Sequence, residues 1–145
     1  MSTFDITQLE NLEVNTSFDT VTIPVPIGDW RAVIKKYEIR MPKDQPLVEV
    51  YWCIDEHEVV AETGREEPMV RQTIWLDVTE NGLDNGKGKN VQLGKLREAL
   101  GQNDASKPWG FGKLIGCVAV VKVAHTAGKD DGTVEAKVVR VAEID

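Results

Sequence analysis

The sequence predicts an all-β fold with one helix, in which five strands form a barrel behind an N-terminal arm. Five segments of strand length are rich in apolar residues, and turn residues separate them. Between the third and fourth segments, Leu93, Leu96 and Leu100 recur at helical spacing. The 145 residues are enough for one domain with a sizeable core. We therefore divide the chain into an arm, residues 1–22, and a barrel domain, residues 23–145.

The arm has no strong hydrophobic period, yet it is rich in apolar residues. A free tail would not carry so many, so we expect the arm to pack on the body. These apolar residues are Phe4, Ile6, Leu9, Leu12, Val14 and Phe18. In residues 23–28, which follow, two prolines indicate an extended edge or connection.

The first two strands are expected over about residues 29–40 and 47–55, with a proline-containing turn between them. Strict alternation along the first strand places Lys35 and Tyr37 on the side opposite Ile34. Both sides are partly apolar, which is typical of a long, curved strand that contributes to two parts of a barrel. Along the second strand, alternation gives a buried face with Trp52 and an outer face with Tyr51.

The third strand, residues 70–78, has the clearest alternation in the chain. Val70 and Ile74 fall on one face, and Arg71, Thr73 and Trp75 fall on the other. An aromatic ring beside an arginine on an outer face is the combination that grooves for single-stranded nucleic acid use. The alternative is that the N-terminal arm covers this tryptophan.

After a polar loop, Asn90 is placed to cap a helix over about residues 91–100, and Gly101 ends it. Two strands follow, over about residues 114–125 and 133–144, joined by a turn that contains Lys129. Three strands, a helix and two further strands, all antiparallel, is the order of the OB-fold, a small partly open barrel whose end the helix plugs. A five-stranded sheet with a helix on one face is the alternative.

The OB-fold places ligands against strands two and three and between two of its loops. The residues of this chain that fall there are the candidate DNA-binding set. They are Lys35, Tyr37, Lys43, Tyr51, Arg71, Thr73, Trp75 and Lys129.

Four segments carry a resemblance to a known group of proteins. They are GDWRAVI from residue 28, IWLD from residue 74, NVQLGKLREA from residue 90 and LIGCV from residue 114. Together they resemble small bacteriophage proteins that are encoded near replication and recombination genes and are thought to be OB-fold single-stranded DNA-binding proteins. The similarity covers about residues 18–144, although the long linker and acidic, aromatic tip of better-known bacterial single-strand binders are missing. The resemblance implies a location in the host cytoplasm and phage or host replication or recombination proteins as partners.

The net charge of −7 argues against nucleic-acid binding when it is taken whole, but the charge is unevenly placed. Residues 1–30 hold five acids and no Lys or Arg. Residues 56–67, which we expect to form an acidic loop between the second and third strands, hold five acids against Arg65 alone. Without these two segments the rest of the chain carries about +2. A mildly basic body with acidic appendages is compatible with a polyanionic ligand. The acidic arm is then expected to compete with DNA for the groove.

The remaining motifs point to a binding module and not to an enzyme. Residues 85–90 lack the Gly and Lys-Ser/Thr spacing of a phosphate-binding loop. The two histidines, His57 and His125, form no catalytic or zinc motif, so no cofactor or metal is expected. Cys53 and Cys117 are expected to be buried free thiols in strands of a cytoplasmic protein. No membrane segment is expected, a homodimer is possible, and docking of a replication or recombination protein is the alternative function.

Overall fold

The computed structural model describes residues 5–130 and 132–144, so that Phe4 of the arm lies outside the described residues. The strands are β1 (Gly28–Arg40), β2 (Leu47–Ile54), β3 (Met69–Trp75), β4 (Val78–Thr79), β5 (Gly82–Leu83), β6 (Val118–Ala127) and β7 (Val134–Ala142). The helices are α1 (Ile6–Leu9), α2 (His57–Thr63) and α3 (Val91–Ala99), and single 3₁₀ turns cover Pro42–Asp44 and Phe111–Leu114.

Five strands close into a barrel in the order β1-β2-β3-β7-β6, and β6 pairs back onto β1. Closure depends on β1, whose residues 28–33 pair with β6 while residues 32–40 pair with β2. The predicted mostly β fold with five main strands is confirmed. The expectation that all five are antiparallel is wrong at one seam, because β3 and β7 run parallel.

A bulge in β1 changes which side chains face the interior. The β1–β2 register shifts between Ile34 and Lys36, so that Ile34 lies opposite Trp52 and Tyr37 lies opposite Val50. One extra residue reverses the alternation beyond it. Tyr37 therefore joins the interior side of the barrel, against the prediction that placed it on the outer face.

The interior of the barrel is apolar and closely filled. Trp52 is 0% exposed at its centre and donates a hydrogen bond from Nε1 to Oε1 of Gln72, at 2.9 Å. This bond explains the one polar residue on the inner side of β3, because a buried indole N–H needs an acceptor. Leu93 and Leu96 of α3 belong to the same core, and α3 packs against β3 and β7.

Three local predictions are wrong. The segment after β2 is predicted as a loop, but it contains the helix α2. Its two buried residues, Val59 and Thr63, are one turn apart, and so short a pattern does not mark a helix in sequence. Strand β3 ends at Trp75, so Val78 is exposed and does not continue the buried face. Strand β6 begins at Val118, later than expected, because a 3₁₀ turn precedes it.

The arm does not pack on the barrel as expected. Every residue from 5 to 23 is exposed, and Ile6 and Phe18 are 76% and 73% exposed. Ile23, the first residue after the arm, accepts at its carbonyl oxygen a hydrogen bond from Arg65 Nη2 at 3.0 Å. Val25 is buried in the core, and its carbonyl oxygen lies 2.7 Å from Nε2 of His125.

Both cysteines are free, as expected, but only Cys53 is buried. Cys117 is partly exposed and immediately precedes β6, so its predicted position inside a strand is wrong. Across the described residues, the helices are all too short or too polar to cross a membrane.

Candidate nucleic-acid interface

The outer side of β1, β2 and β3 carries the candidate site, which we call the outer face. Strand register arranges its side chains in three rows that run across the strands. The rows are Lys36–Tyr51–Arg71, Glu38–Glu49–Thr73 and Arg40–Leu47–Trp75. Adjacent strands lie about 4.8 Å apart, so each row presents its three side chains as close neighbours.

Tyr51 is the aromatic centre of the first row. Nζ of Lys36 lies 4.6 Å from the centroid of the Tyr51 ring, and the Tyr51 hydroxyl donates to Oε2 of Glu38 at 3.3 Å. Burial and then the charge of Glu38 raise the pKa of Tyr51, so the phenol stays neutral over the physiological range. A neutral, half-buried ring beside an ammonium group has the chemistry of a surface on which an aromatic ligand can stack.

Arg71 is held in place by Glu135 of β7. Nη2 of Arg71 donates to Oε1 of Glu135, and the two form an ion pair across the parallel seam of the barrel. This hydrogen bond raises the pKa of Arg71 and lowers the pKa of Glu135, so both groups are charged at neutral pH. An incoming phosphate must therefore share Arg71 with this carboxylate or displace it.

Glu49 lies in the middle of the outer face but is not free to repel a phosphate. It is only 3% exposed, and its carboxylate accepts hydrogen bonds from Arg40 Nη2 at 2.7 Å and from Thr73 Oγ1 at 2.8 Å. A buried carboxylate with a cation and a hydroxyl as partners is locally neutralised. It fixes Thr73 and Arg40 in position on either side of β2.

Trp75 stands at the end of the outer face and is 48% exposed. The alternative that the arm covers it is wrong, since Trp75 is about half exposed and every described residue of the arm is exposed as well. Its cross-strand neighbour is Leu47 and not Tyr51, which lies opposite Arg71. Four residues of strand separate the two aromatic positions, so the rings are about 14 Å apart along the sheet and form two separate platforms.

The two loop lysines lie at opposite ends of this surface. Lys43 is exposed in the turn before β2. This turn lies at the Trp75 end of the outer face, since the N–H of Leu76 donates to the carbonyl oxygen of Pro46. Lys129 lies in the turn between β6 and β7, where it lines a groove together with Arg71 and Glu135. The structure therefore brings together Tyr51, Arg71, Thr73, Trp75, Lys43 and Lys129 on or beside one face.

One predicted site residue, Tyr37, lies elsewhere, and Lys35 is not the residue opposite Tyr51. Tyr37 is partly buried and packs on Phe111, with 5.9 Å between the ring centroids, because the bulge turns it inward. Lys35, at the bulge itself, pairs with Glu67 at 3.9 Å on the side of Cys53. Lys36, which sequence analysis overlooked, takes the place beside Tyr51 that strict alternation gives to Lys35.

Asp77, which strict alternation places on the outer face beside Trp75, is withdrawn from it. Its carboxylate accepts from the Asn90 N–H at 3.0 Å, and its own N–H donates to Oδ1 of Asn90 at 2.8 Å. Nδ2 of Asn90 also donates to the carbonyl oxygens of Asp77 and Asp84. The expectation that the Asn90 side chain caps α3 is therefore wrong: it closes the loop that contains β4 and β5. These hydrogen bonds turn the Asp77 carboxylate toward Asn90.

Taken together, the outer face offers two aromatic platforms, several cations and hydrogen-bonding hydroxyl groups on a closed β-barrel. Among the described residues there is no group of three or more His, Cys, Asp or Glu arranged to hold a metal ion. Aromatic rings and cations side by side are chemically complementary to flat rings and anionic groups. Comparison of the sequence with known protein families and with curated proteins finds no match to either.

Proposed function

We propose that the protein binds single-stranded DNA without sequence preference, as an OB-fold protein acting in phage replication, recombination or repair. The observation that carries the proposal is the row Lys36–Tyr51–Arg71 on β1, β2 and β3, with exposed Trp75 at the far end of the same face. Ligands of OB-folds lie against strands two and three. The barrel order and the helix between its third and fourth main strands support this assignment.

The mechanism combines stacking with charge neutralisation. Every base has a flat π-face, so a ring such as Tyr51 or Trp75 accepts any of the four bases. Lys36, Arg71, Lys43 and Lys129 supply cations around these platforms, and each phosphate contact releases condensed counterions. Binding of this kind follows the sugar–phosphate backbone and is insensitive to base identity.

Titration with oligo-dT at several salt concentrations tests the proposal. We expect quenching of tryptophan fluorescence, because Trp75 is half exposed on the face. With about three to four phosphate contacts, the logarithm of the affinity should fall against the logarithm of salt with a slope of about −2 to −3. A titration without quenching and without salt-sensitive binding would refute the proposal.

A second candidate function is docking of a replication or recombination protein, and the exposed arm favours it. Apolar side chains such as Ile6 and Phe18 are typical of a segment that becomes buried in a complex. A pull-down separates the two uses of the molecule. Capture of a protein partner that is unchanged in the Tyr51→Ala and Trp75→Ala variants would exclude the outer face as the docking site.

Removal of residues 1–19 should tighten binding of oligo-dT about two- to threefold at low salt, and the gain should vanish at high salt. The segment carries four acids and no Lys or Arg, so its removal reduces long-range repulsion of a polyanion. Because its described residues are exposed, the melting temperature should stay within about 2 °C of the full chain. Unfolding of the truncated protein would instead assign the arm a structural role.

A further inference from the structure

The carboxylate of Glu135 lies within a cluster of positive charge. It accepts the hydrogen bond from Arg71 of β3, and the charges of Arg71, Lys137 and Lys129 all act to lower its pKa. Lys137 is the residue of β7 that lies opposite Arg71 across the parallel seam. Three cations, from one strand pair and one turn, thus act on the carboxylate of Glu135.

A groove of about 470 Å³ opens at this point. One wall is the base of the arm, with Thr20, Thr22 and Pro24, and the other is formed by residues on either side of the β6–β7 turn. Arg71 and Glu135 line the groove between these walls, together with Lys129 and Asp130. Proteins bind a phosphodiester with hydroxyl groups and cations, and this groove presents both next to the carboxylate of Glu135.

We propose that Glu135 occupies the position of a DNA phosphate and that a phosphate of the bound strand replaces it next to Arg71. This inference rests on the proposed function of the outer face. It extends the site from Tyr51 through Arg71 to Lys137 and into the groove at the base of the arm. The Glu135 side chain turns away from Arg71 when the phosphate enters, and no covalent bond changes.

In this arrangement Glu135 lowers the affinity of the site for phosphate groups, because each of them must replace the carboxylate next to Arg71. A single anion in solution gains little by exchanging with Glu135, since one negative charge replaces another. A strand that also stacks on Tyr51 brings its phosphate to the same place at high effective concentration. The carboxylate therefore favours oligonucleotides over free phosphate, and it keeps Arg71 oriented in the unbound protein.

The test compares Glu135→Gln with Glu38→Gln, which removes the same charge from the other side of the Tyr51 row. Affinity for oligo-dT is measured at low salt in both variants and in each combined with Arg71→Gln. We expect Glu135→Gln to tighten binding about two- to fivefold, the size of an exposed ion pair, and to lose this effect once Arg71 is replaced. Glu38→Gln should give a gain that is the same with or without Arg71.

The outcomes separate this inference from the proposed function. If the unmodified protein binds oligo-dT but Glu135→Gln does not bind more tightly, the inference about Glu135 is wrong. It is also wrong if Glu135→Gln gives an equal gain in the Arg71→Gln background. Neither result contradicts the proposed function. Absence of oligo-dT binding by the unmodified protein overturns the proposed function and this inference with it. A melting temperature for Glu135→Gln close to that of the parent protein shows that the fold is kept, because the amide can still accept a hydrogen bond from Arg71.

Discussion

Replacement of both Tyr51 and Trp75 by alanine should weaken binding of oligo-dT by at least about 30-fold. Stacking of a base on an aromatic side chain contributes about 1–3 kcal/mol, and the two rings are far enough apart to hold different bases. Their effects should therefore add within a few tenths of a kcal/mol. Each single variant should lose about 5- to 150-fold.

The loss should be specific to stacking and not to the charge of the face. The double variant retains the charges of Lys36 and Arg71, so the slope of affinity against salt should stay the same while the whole curve moves to weaker binding. Fluorescence anisotropy of a labelled oligonucleotide is the suitable measurement, because the tryptophan signal itself is altered in the variant.

The matched controls are Tyr51→Phe and Trp75→Phe. Phenylalanine keeps a ring at each position, while Tyr51→Phe removes only the hydroxyl that donates to Glu38. Both controls should bind within about threefold of the parent protein if stacking is the cause. Loss of affinity in Tyr51→Phe equal to that in Tyr51→Ala would instead point to the hydroxyl and contradict the stacking mechanism.

Alternation along single strands made much of this face predictable from sequence. The period of two places Arg71, Thr73 and Trp75 on the outer side of β3, and the structure shows the same division. The prediction failed at β1 because a bulge is a property of the pairing between two strands. The sequence does not mark this bulge, so Tyr37 is predicted on the wrong side of β1 and Lys35, not Lys36, is predicted opposite Tyr51.

The partners of the charged residues were harder to predict, since they depend on barrel closure. Arg71 and Glu135 are 64 residues apart and meet only because β3 and β7 form the parallel seam. A wholly antiparallel arrangement gives no reason to pair them. Asp77 is also predicted in the wrong place. Strict alternation puts it on the outer face, but β3 ends at Trp75, and hydrogen bonds with Asn90 hold Asp77 in the loop that contains β4 and β5.

Composition alone also gave a wrong expectation for the arm. Many apolar residues in a short segment predicted burial, yet burial also requires a complementary surface on the same chain. The part of the barrel domain nearest the arm offers hydroxyl groups and charges around Arg65 and Arg71, which suit the backbone of residues 20–24 more than apolar side chains. The apolar residues before Thr20 therefore stay exposed.

Replacement of Trp52 by alanine should lower the free energy of unfolding by about 3–5 kcal/mol, the largest stability effect that we expect in this chain. The side chain is 0% exposed at the centre of the barrel, and truncation leaves a cavity that five hydrogen-bonded strands cannot collapse. Gln72 loses its donor, but it also lines the groove between α3 and β7, where water can replace the indole N–H. The cavity is therefore the main cost.

Urea denaturation followed by circular dichroism measures this effect, and Trp75→Ala is the control. Trp75 is half exposed and lies opposite Leu47 on the outer face, so its removal should cost about 1 kcal/mol. The two tryptophans would then have opposite roles, with Trp52 needed for stability and Trp75 for affinity. If Trp75→Ala destabilises the barrel as much as Trp52→Ala, then Trp75 is a structural residue and the platform at that end of the face must be abandoned.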